Sequence, residues 1–543
     1  MTSPNPPQTS YRAIGWLLAV PALFGTLITL VLPTAQTIWL SFQSGGVLSE
    51  STYAGLSNYA DLLGDDVFWR ALGFTLSLTV VPLLVALVVA PLLAAALDRG
   101  GTWPRRAGRI VLSLAIVTFS PVGMAAAWMH GLSRDASGLL ALAQGLSEPD
   151  TAPGTLRLIV AAATFGVVCS LAVVAFLPAL RGGTVAPAML VVGVLLALAT
   201  VAVGLQTFSL GMVLTHGGPE RSTGTLAGLQ YDFAFRLAKF GPGAAAATLT
   251  GVALGVLGIV ATVVAVASRL RITLTPAGAP GSPASPTAGP PAAGPVKTTG
   301  AVVGVAALVL FLVVGILAAW PWISGVLGAP VSPAGGLRAQ VNTWVPAVAG
   351  ALVSVGVAYL AALGIGGLRP LGRGSEWLLL VFAPWLFVGT GPLGVANWQN
   401  MRNLGLIDTF VALFPPLLVS VPALLVLTLL CKGLAERNDR DFFSGVVLPS
   451  LPMAGVLAGA VALMNAQDLL WPLLVAQQPE LFTAPVALLN ELTSFGTTSP
   501  AVGATTPLVV VVVALAAVVT AQLLYLDRLA VSTNGSRRRA PAA

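Results

Sequence analysis

Apolar runs long enough to cross a bilayer recur along nearly the whole of this chain, and they constrain its fold more than any other feature. A spanning helix needs about 20 mostly apolar residues. Twelve stretches meet that requirement: 13–41, 72–97, 109–131, 156–179, 187–209, 243–268, 299–322, 345–367, 377–397, 409–431, 445–465 and 504–526. Of the 543 residues, 56% are hydrophobic and 8% charged, against about 25% charged in a soluble domain. A soluble enzyme, a disordered tail protein and a secreted disulfide scaffold are excluded. The expectation is an all-α, polytopic integral membrane protein of about twelve transmembrane helices. The first run follows MTSPNPPQTSYR and has no small-residue cleavage site, so it reads as a retained span.

Reactive chemistry is scarce. Cys169 and Cys431 sit at the ends of apolar runs, where buried thiols act as small hydrophobes. His130 and His216 each stand alone, so no metal cluster is expected. Neither a phosphate-binding G-x-x-x-x-G-K-[ST] loop nor a G-x-S-x-G elbow occurs. The chain is therefore expected to have no catalytic residue and to bind no cofactor. Its net charge of +7 is spread over short loops, which points to membrane lipid and orientation, not to nucleic acid.

Lys and Arg mark the cytoplasmic side of membrane proteins. With the N-terminus inside, the inner set is Arg12, Arg99, Arg105, Arg106, Arg109, Arg181, Arg269, Arg271, Lys297, Arg369, Arg373, Lys432, Arg437, Arg440, Arg528 and Arg537 to Arg539, which is 18 of the 26 basic residues. Six of the 19 acidic residues share that side. Both termini are thus expected in the cytoplasm of a multi-pass plasma-membrane protein. Residues 272–298 are dominated by Pro, Gly, Ala and Ser and read as a cytoplasmic linker; 27 such residues span roughly 29 Å on average. This divides the chain into a first half, 1–271, and a second half, 299–543, with six spans each and the same orientation. An ordinary long loop in a single twelve-span protein is the alternative.

Short motifs recur in both halves. The first carries GLSNYADLL (Gly55 to Leu63), SPVGMAAAW (Ser120 to Trp128), and an outer loop LTHGGPERST (Leu214 to Thr223) followed by YDFAF from Tyr231 and FGPGAAAA from Phe240. Gly217, Gly218 and Pro219 favour a tight turn at the membrane edge, with Thr223 and Tyr231 close behind. The second half carries NLGLIDT (Asn403 to Thr409), FFSGVVLPSLP (Phe442, Phe443, through Pro449 to Pro452) and AQDLLWPLLV (Ala466 to Val475). Together these resemble the membrane subunits of sugar-type, binding-protein-dependent ABC importers. The chain looks like two such permeases fused head to tail. The resemblance implies separate ATPase subunits, which would hydrolyse ATP, and an extracytoplasmic solute-binding protein as partners.

That family signals to its ATPase through a cytoplasmic E-A-A-x-x-x-G loop, which folds as a short docking helix. The corresponding places here depart from it. The first half keeps only Arg181, Gly182 and Gly183 as a polar core; the second reads CKGLAERNDRDFF, with Glu436 and Arg437 but without the E-A-A order. Three readings stay open: shortened loops that still couple, coupling through the second half alone, or a permease-like protein without ATP-driven transport.

Ionisable residues are nearly absent from mid-span, which argues against proton- or ion-coupled exchange. A neutral solute path could be lined by Thr118, Ser120, Gln206, Thr207, Asn397, Asn465, Gln467 and Asp468, with Trp128, Trp398 and Trp471 as flat apolar faces, although Trp at span ends is more often an interfacial anchor. The functional expectation is the permease component of an importer for a sugar or related polar solute. A degenerate permease-like scaffold is the alternative, and a twelve-span facilitator the third.

Overall fold

The computed structural model describes residues 8–45, 52–133, 135–182, 185–274, 296–328, 336–437, 441–493 and 501–533. Nine helices among them are long and apolar enough to cross a membrane. They are α1 (Arg12–Ser41), α2 (Asp66–Arg99), α5 (Ala152–Ala179), α6 (Val185–Leu214), α7 (Phe240–Ala267), α8 (Thr299–Leu327), α9 (Gly336–Leu368), α12 (Phe443–Ala466) and α13 (Leu508–Arg528). A tenth is formed by α3 (Thr102–Val117) and α4 (Pro121–Leu132), which meet at a bend of 73°. The chain is thus an all-α, multi-pass membrane protein. Large apolar side chains such as Leu310 on α8 and Val512 on α13 stay exposed, as lipid-facing positions must.

Besides run 109–131, which the α3–α4 bend divides, two of the twelve expected runs are not continuous helices of spanning length. Run 377–397 opens as 3₁₀ turns at Gly372–Val381 and Ala383–Trp385, and α10 (Thr390–Asn403) begins only afterwards. Pro384, Gly389 and Pro392 interrupt the α-helical ladder there. In run 409–431, Pro415 and Pro416 lack the N–H groups a helix needs, and α11 starts at Val421 and ends at Ala435. These prolines break the helix outright.

Prolines inside the intact helices are accommodated differently. Wide π turns at Leu27–Val31, Val85–Val89 and Phe443–Val447 each run into a helix whose second residue is proline: Pro33, Pro91 and Pro449. A proline ring clashes with the carbonyl one turn back, and a widened turn relieves the clash.

Two small antiparallel pairs complete the fold. Near one end β1 (Gln43–Ser44) pairs with β2 (Thr52–Tyr53). At the other end β3 (Arg271–Leu274), which follows α7, pairs with β4 (Leu529–Ser532), which follows α13. Ile272 to Leu274, read from sequence as the start of the linker, are therefore strand, and residues 275–295 lie outside the described residues.

The helices are interleaved across the linker. Helix α1 packs on α9, where Gly364 meets the Gly15 carbonyl. Reciprocally α8 packs on α2 and α5, with Gly304 beside Ala96 and Phe311 stacked on Phe165 at 5.7 Å. Small residues allow these close approaches in lipid, where there is no hydrophobic force to bring helices together. Helix α8 thus lies mainly on the other sequence half, whereas α1 straddles the two, its Leu32–Ser41 part packing on α7 of its own half.

Several contacts occur twice. Thr75 on α2 accepts a hydrogen bond from the Leu226 amide at 2.9 Å; Thr343 on α9 accepts one from the Ala484 amide at 2.8 Å. Gln206 breaks α6 and Gln467 ends α12, each followed by a six-residue helix, Ser209–Leu214 and Leu470–Val475. Replacing Thr343 with alanine strands the buried Ala484 N–H, so a loss of about 1–3 kcal/mol is expected. Thr75→Ala should behave alike at Leu226. Thermal unfolding in detergent measures both, and Thr→Ser should restore most of the loss.

Candidate functional site

The charged side chains gather around the β3–β4 pair. From the first half, Arg181 at the end of α5 reaches the Asp527 carboxylate at 2.9 Å and also donates to the Asp527 carbonyl. Arg105 and Arg109 on α3 converge on the same carboxylate at 3.2 and 3.3 Å. Asp98 lies 3.6 Å from Arg105 and 3.9 Å from Arg181. Arg109 is completely buried and donates to Gln522 at 2.6 Å. Its sequence position suggested an edge-of-span loop charge; nothing in the sequence links it to residues more than 400 positions away.

The second half builds a matching arrangement. Glu436 caps α11 and binds Arg271 at 3.0 Å and Arg369 at 3.1 Å. Arg437 donates to the Leu274 carbonyl at 3.2 Å. Lys432, one residue before Gly433 as Arg181 is one before Gly182, forms a buried ion pair with Glu376. The strands sit directly on the two glycines: a Cβ at Gly182 would overlap the Val531 carbonyl, and one at Gly433 the Ile272 carbonyl. Gly183 lies outside the described residues.

Five residues separate α5 from α6 at this end, and seven separate α11 from α12. No docking helix is present among the described residues of either connection. Phe442 packs into the core over Gly367, whereas Phe443 is exposed. Pro449 presents its carbonyl to the Tyr525 hydroxyl at 2.7 Å.

At the opposite end, the Gly217–Gly218–Pro219 turn is closed by Thr223, whose hydroxyl bonds the Gly218 carbonyl at 2.6 Å and the Thr215 hydroxyl at 2.8 Å. Tyr231 lies between Phe208, which it meets edge-on at 5.3 Å, and Phe235, tilted to it at 5.9 Å. A cavity of about 60 Å³ lies behind the turn, lined by His216, Arg221, Thr223 and Asp232 among others. Burial holds the His216 imidazole below its usual range, and Arg236 adds to that shift.

The expected path residues mostly serve as pins between elements. Gln206 donates to Ala202 and Phe387 carbonyls at 3.0 and 2.8 Å and accepts from Gly389 at 2.8 Å. Asn465 donates to Ala347 at 3.3 Å. Trp471 is buried and donates to Ala412 at 2.9 Å; Trp398 donates to Leu474 at 3.1 Å. Trp128 is buried in the core, so neither it nor Trp471 is an interfacial anchor. Ser120 caps α4 and bonds Thr505 at 2.8 Å. Gln467 donates to Thr505 at 3.0 Å, while its carbonyl oxygen meets no donor among the described residues beside a cavity of about 10 Å³; that is room for about one water.

Asp468 caps the helix Leu470–Val475 at 3.1 Å and accepts weakly from Thr390 at 3.4 Å. Burial pushes its carboxyl up to about 6. A folded-state value above the unfolded one of about 3.9 penalises the charged form, so the cost is full above that raised value and vanishes as pH falls through it. Asp468→Asn, which keeps the capping oxygen, is expected to raise the melting temperature at pH 7.5 and to lose that advantage near about pH 4. Melting curves across this range check it.

No protein-family model matches the chain. Two curated relatives are similar over short stretches. The sn-glycerol-3-phosphate transport system permease protein UgpA of Escherichia coli O6:K15:H31 (strain 536 / UPEC) is 35% identical over 97 residues, 17% of this chain and 32% of that protein. The trehalose transport system permease protein SugA of Mycobacterium tuberculosis (strain CDC 1551 / Oshkosh) is 29% identical over 90 residues, 16% of this chain and 29% of that protein. The matches span about a third of the relatives' length. This multi-pass membrane protein therefore has weak, partial similarity to permease subunits of solute transport systems.

Proposed function

We propose that this chain is a permease of the sugar-importer type with both membrane halves in one polypeptide, moving a polar solute such as a sugar or polyol phosphate. The observation that carries the reading is the doubled contact set: Thr75 and Thr343, Gln206 and Gln467, Gly182 and Gly433. On this reading the chain crosses the membrane twelve times. Three crossings are composite: the bent α3–α4 pair, the 3₁₀ turns leading into α10, and the segment leading into α11. The arginine-rich β3–β4 end faces the cytoplasm under the positive-inside rule, which places both termini there. The GGP turn and the cavity behind it then face outward, toward a solute-binding protein.

ATP hydrolysis, where it drives this system, belongs to separate subunits. The short connections after α5 and α11 favour a second reading, a permease-like scaffold without ATP drive. One experiment separates the two. Affinity purification of the full chain in mild detergent, with uptake of glycerol 3-phosphate and trehalose in a deletion strain, should recover an ATPase and show an uptake defect restored by the wild-type gene. Normal uptake and no ATPase would favour the scaffold.

A further inference from the structure

We propose that the β3–β4 pair is a latch that closes the cytoplasmic end of the path, standing where docking helices would otherwise project. The inference rests on the permease reading above for its orientation. The two strands are the tails of α7 and α13, one from each sequence half, and they pair residue for residue: Arg271 with Ser532, Ile272 with Val531, Thr273 with Ala530, Leu274 with Leu529. Any inward opening that moves the halves apart has to break this ladder or carry it along.

Three features make it a latch and not a loose tail. First, the ladder has two seats. Val531 lies on Gly182 and Ile272 on Gly433, each too close for any side chain. Second, each seat is flanked by ion pairs: Asp527 is gripped by Arg181, Arg105 and Arg109, and Glu436 joins Arg271, the first residue of β3, to Arg369 at the end of α9. Third, the ladder plugs a seam. One core cluster is built mainly from α9 and α11, another mainly from α2 and α5, and Leu195, Leu425 and Ile272 pack against both. Ile272 belongs to the latch itself, so β3 packs on both sides of this seam.

The pairs differ in how readily they release. Arg109 is fully buried, whereas the Glu436 pairs are about a quarter exposed. Release therefore begins at Glu436, where water competes for the charges, and ends at Asp527.

Site-directed labelling tests the latch without a known solute or an ATPase. In a Cys169→Ser/Cys431→Ser background, Leu195→Cys or Leu425→Cys reports the seam. The probe is a membrane-impermeant sulfonated maleimide, applied to inside-out and right-side-out vesicles. Hydrogen exchange of 271–274 and 529–532 reports the ladder. Two release variants are used: Asp527→Asn with Glu436→Gln, and Gly182→Ala, which displaces β4 without removing a charge. Both should strip protection from the strands and speed labelling at least tenfold from the cytoplasmic side only. An oxidised Thr273→Cys/Ala530→Cys staple should return labelling to the slow rate. The latch is overturned if the strands lose protection while labelling stays slow, if they keep protection in both variants, if both faces of the membrane gain equally, or if the unreleased protein labels fast. Failure of the permease reading would show instead in partner recovery and uptake, which play no part in these measurements.

Discussion

Lys432→Met is expected to destabilise the protein by about 3–5 kcal/mol, because it leaves the Glu376 carboxylate buried without a counter-charge. Lys432 lies in the last turn of α11 and Glu376 in the 3₁₀ turns before α10, and their side chains are 6% and 10% exposed. Taking two charges out of water is costly, and only their mutual attraction offsets that cost; removing one partner keeps the cost and deletes the offset. At about 2 °C per kcal/mol for a chain of this size, the melting temperature should fall by roughly 6–10 °C. Lys432→Met/Glu376→Met should recover most of the loss, since the second change removes the stranded charge. Arg236→Met, which breaks the exposed Arg236–Asp232 pair, should cost less than about 1 kcal/mol. Equal effects at the two sites would contradict the buried geometry.

Gly433→Ala is the second large effect. A methyl group there meets the Ile272 carbonyl, which is backbone and cannot rotate away. Either β3 lifts off α11 or the helix shifts, and overpacking of this kind costs about 1–3 kcal/mol. The visible sign should be local: amide protection lost at Arg271–Leu274 and its partners, with α12 unchanged. Gly459 on α12 is the control, because a Cβ there has nothing within 4 Å. Gly459→Ala should be neutral or gain up to about 1 kcal/mol from helix propensity. Hydrogen exchange on the two variants, side by side, distinguishes a seat for the strand from general intolerance of alanine.

Much of the architecture was legible in advance because hydropathy acts locally. Whether a run such as 243–268 or 345–367 leaves water depends only on its own side chains, and both became helices, the first within a few residues of its expected ends and the second extended at its start to Gly336. Breaks were harder to read. Pro415 and Pro416 announced a disturbance, but only neighbouring backbone partners decide whether a proline kinks a helix, as a π turn does before Pro449, or ends it, as before α11. The candidate site was legible in part. Arg181, Gly182 and Glu436 stood out because a family motif is missing around them. Arg109, Asp527 and Gln522 did not, since each is unremarkable in its own segment and acquires its role only through a partner distant in sequence. Gln206 and Trp471 looked like solute contacts and are engaged with the protein's own backbone.

The sequence by itself determined that this is a helical protein of the bilayer, where its apolar runs lie, and that it carries no nucleotide-binding loop of its own. Those properties depend on stretches of about 20 residues judged one at a time. Only the tertiary structure decided that α1 and α8 each pack across the linker, that the tails of α7 and α13 join as a ladder, and that three arginines share one aspartate. The reason is physical. In lipid the apolar effect does not choose between helix partners, so the choice falls to glycine-sized approaches and buried polar pairs, and these exist only between segments far apart in the chain.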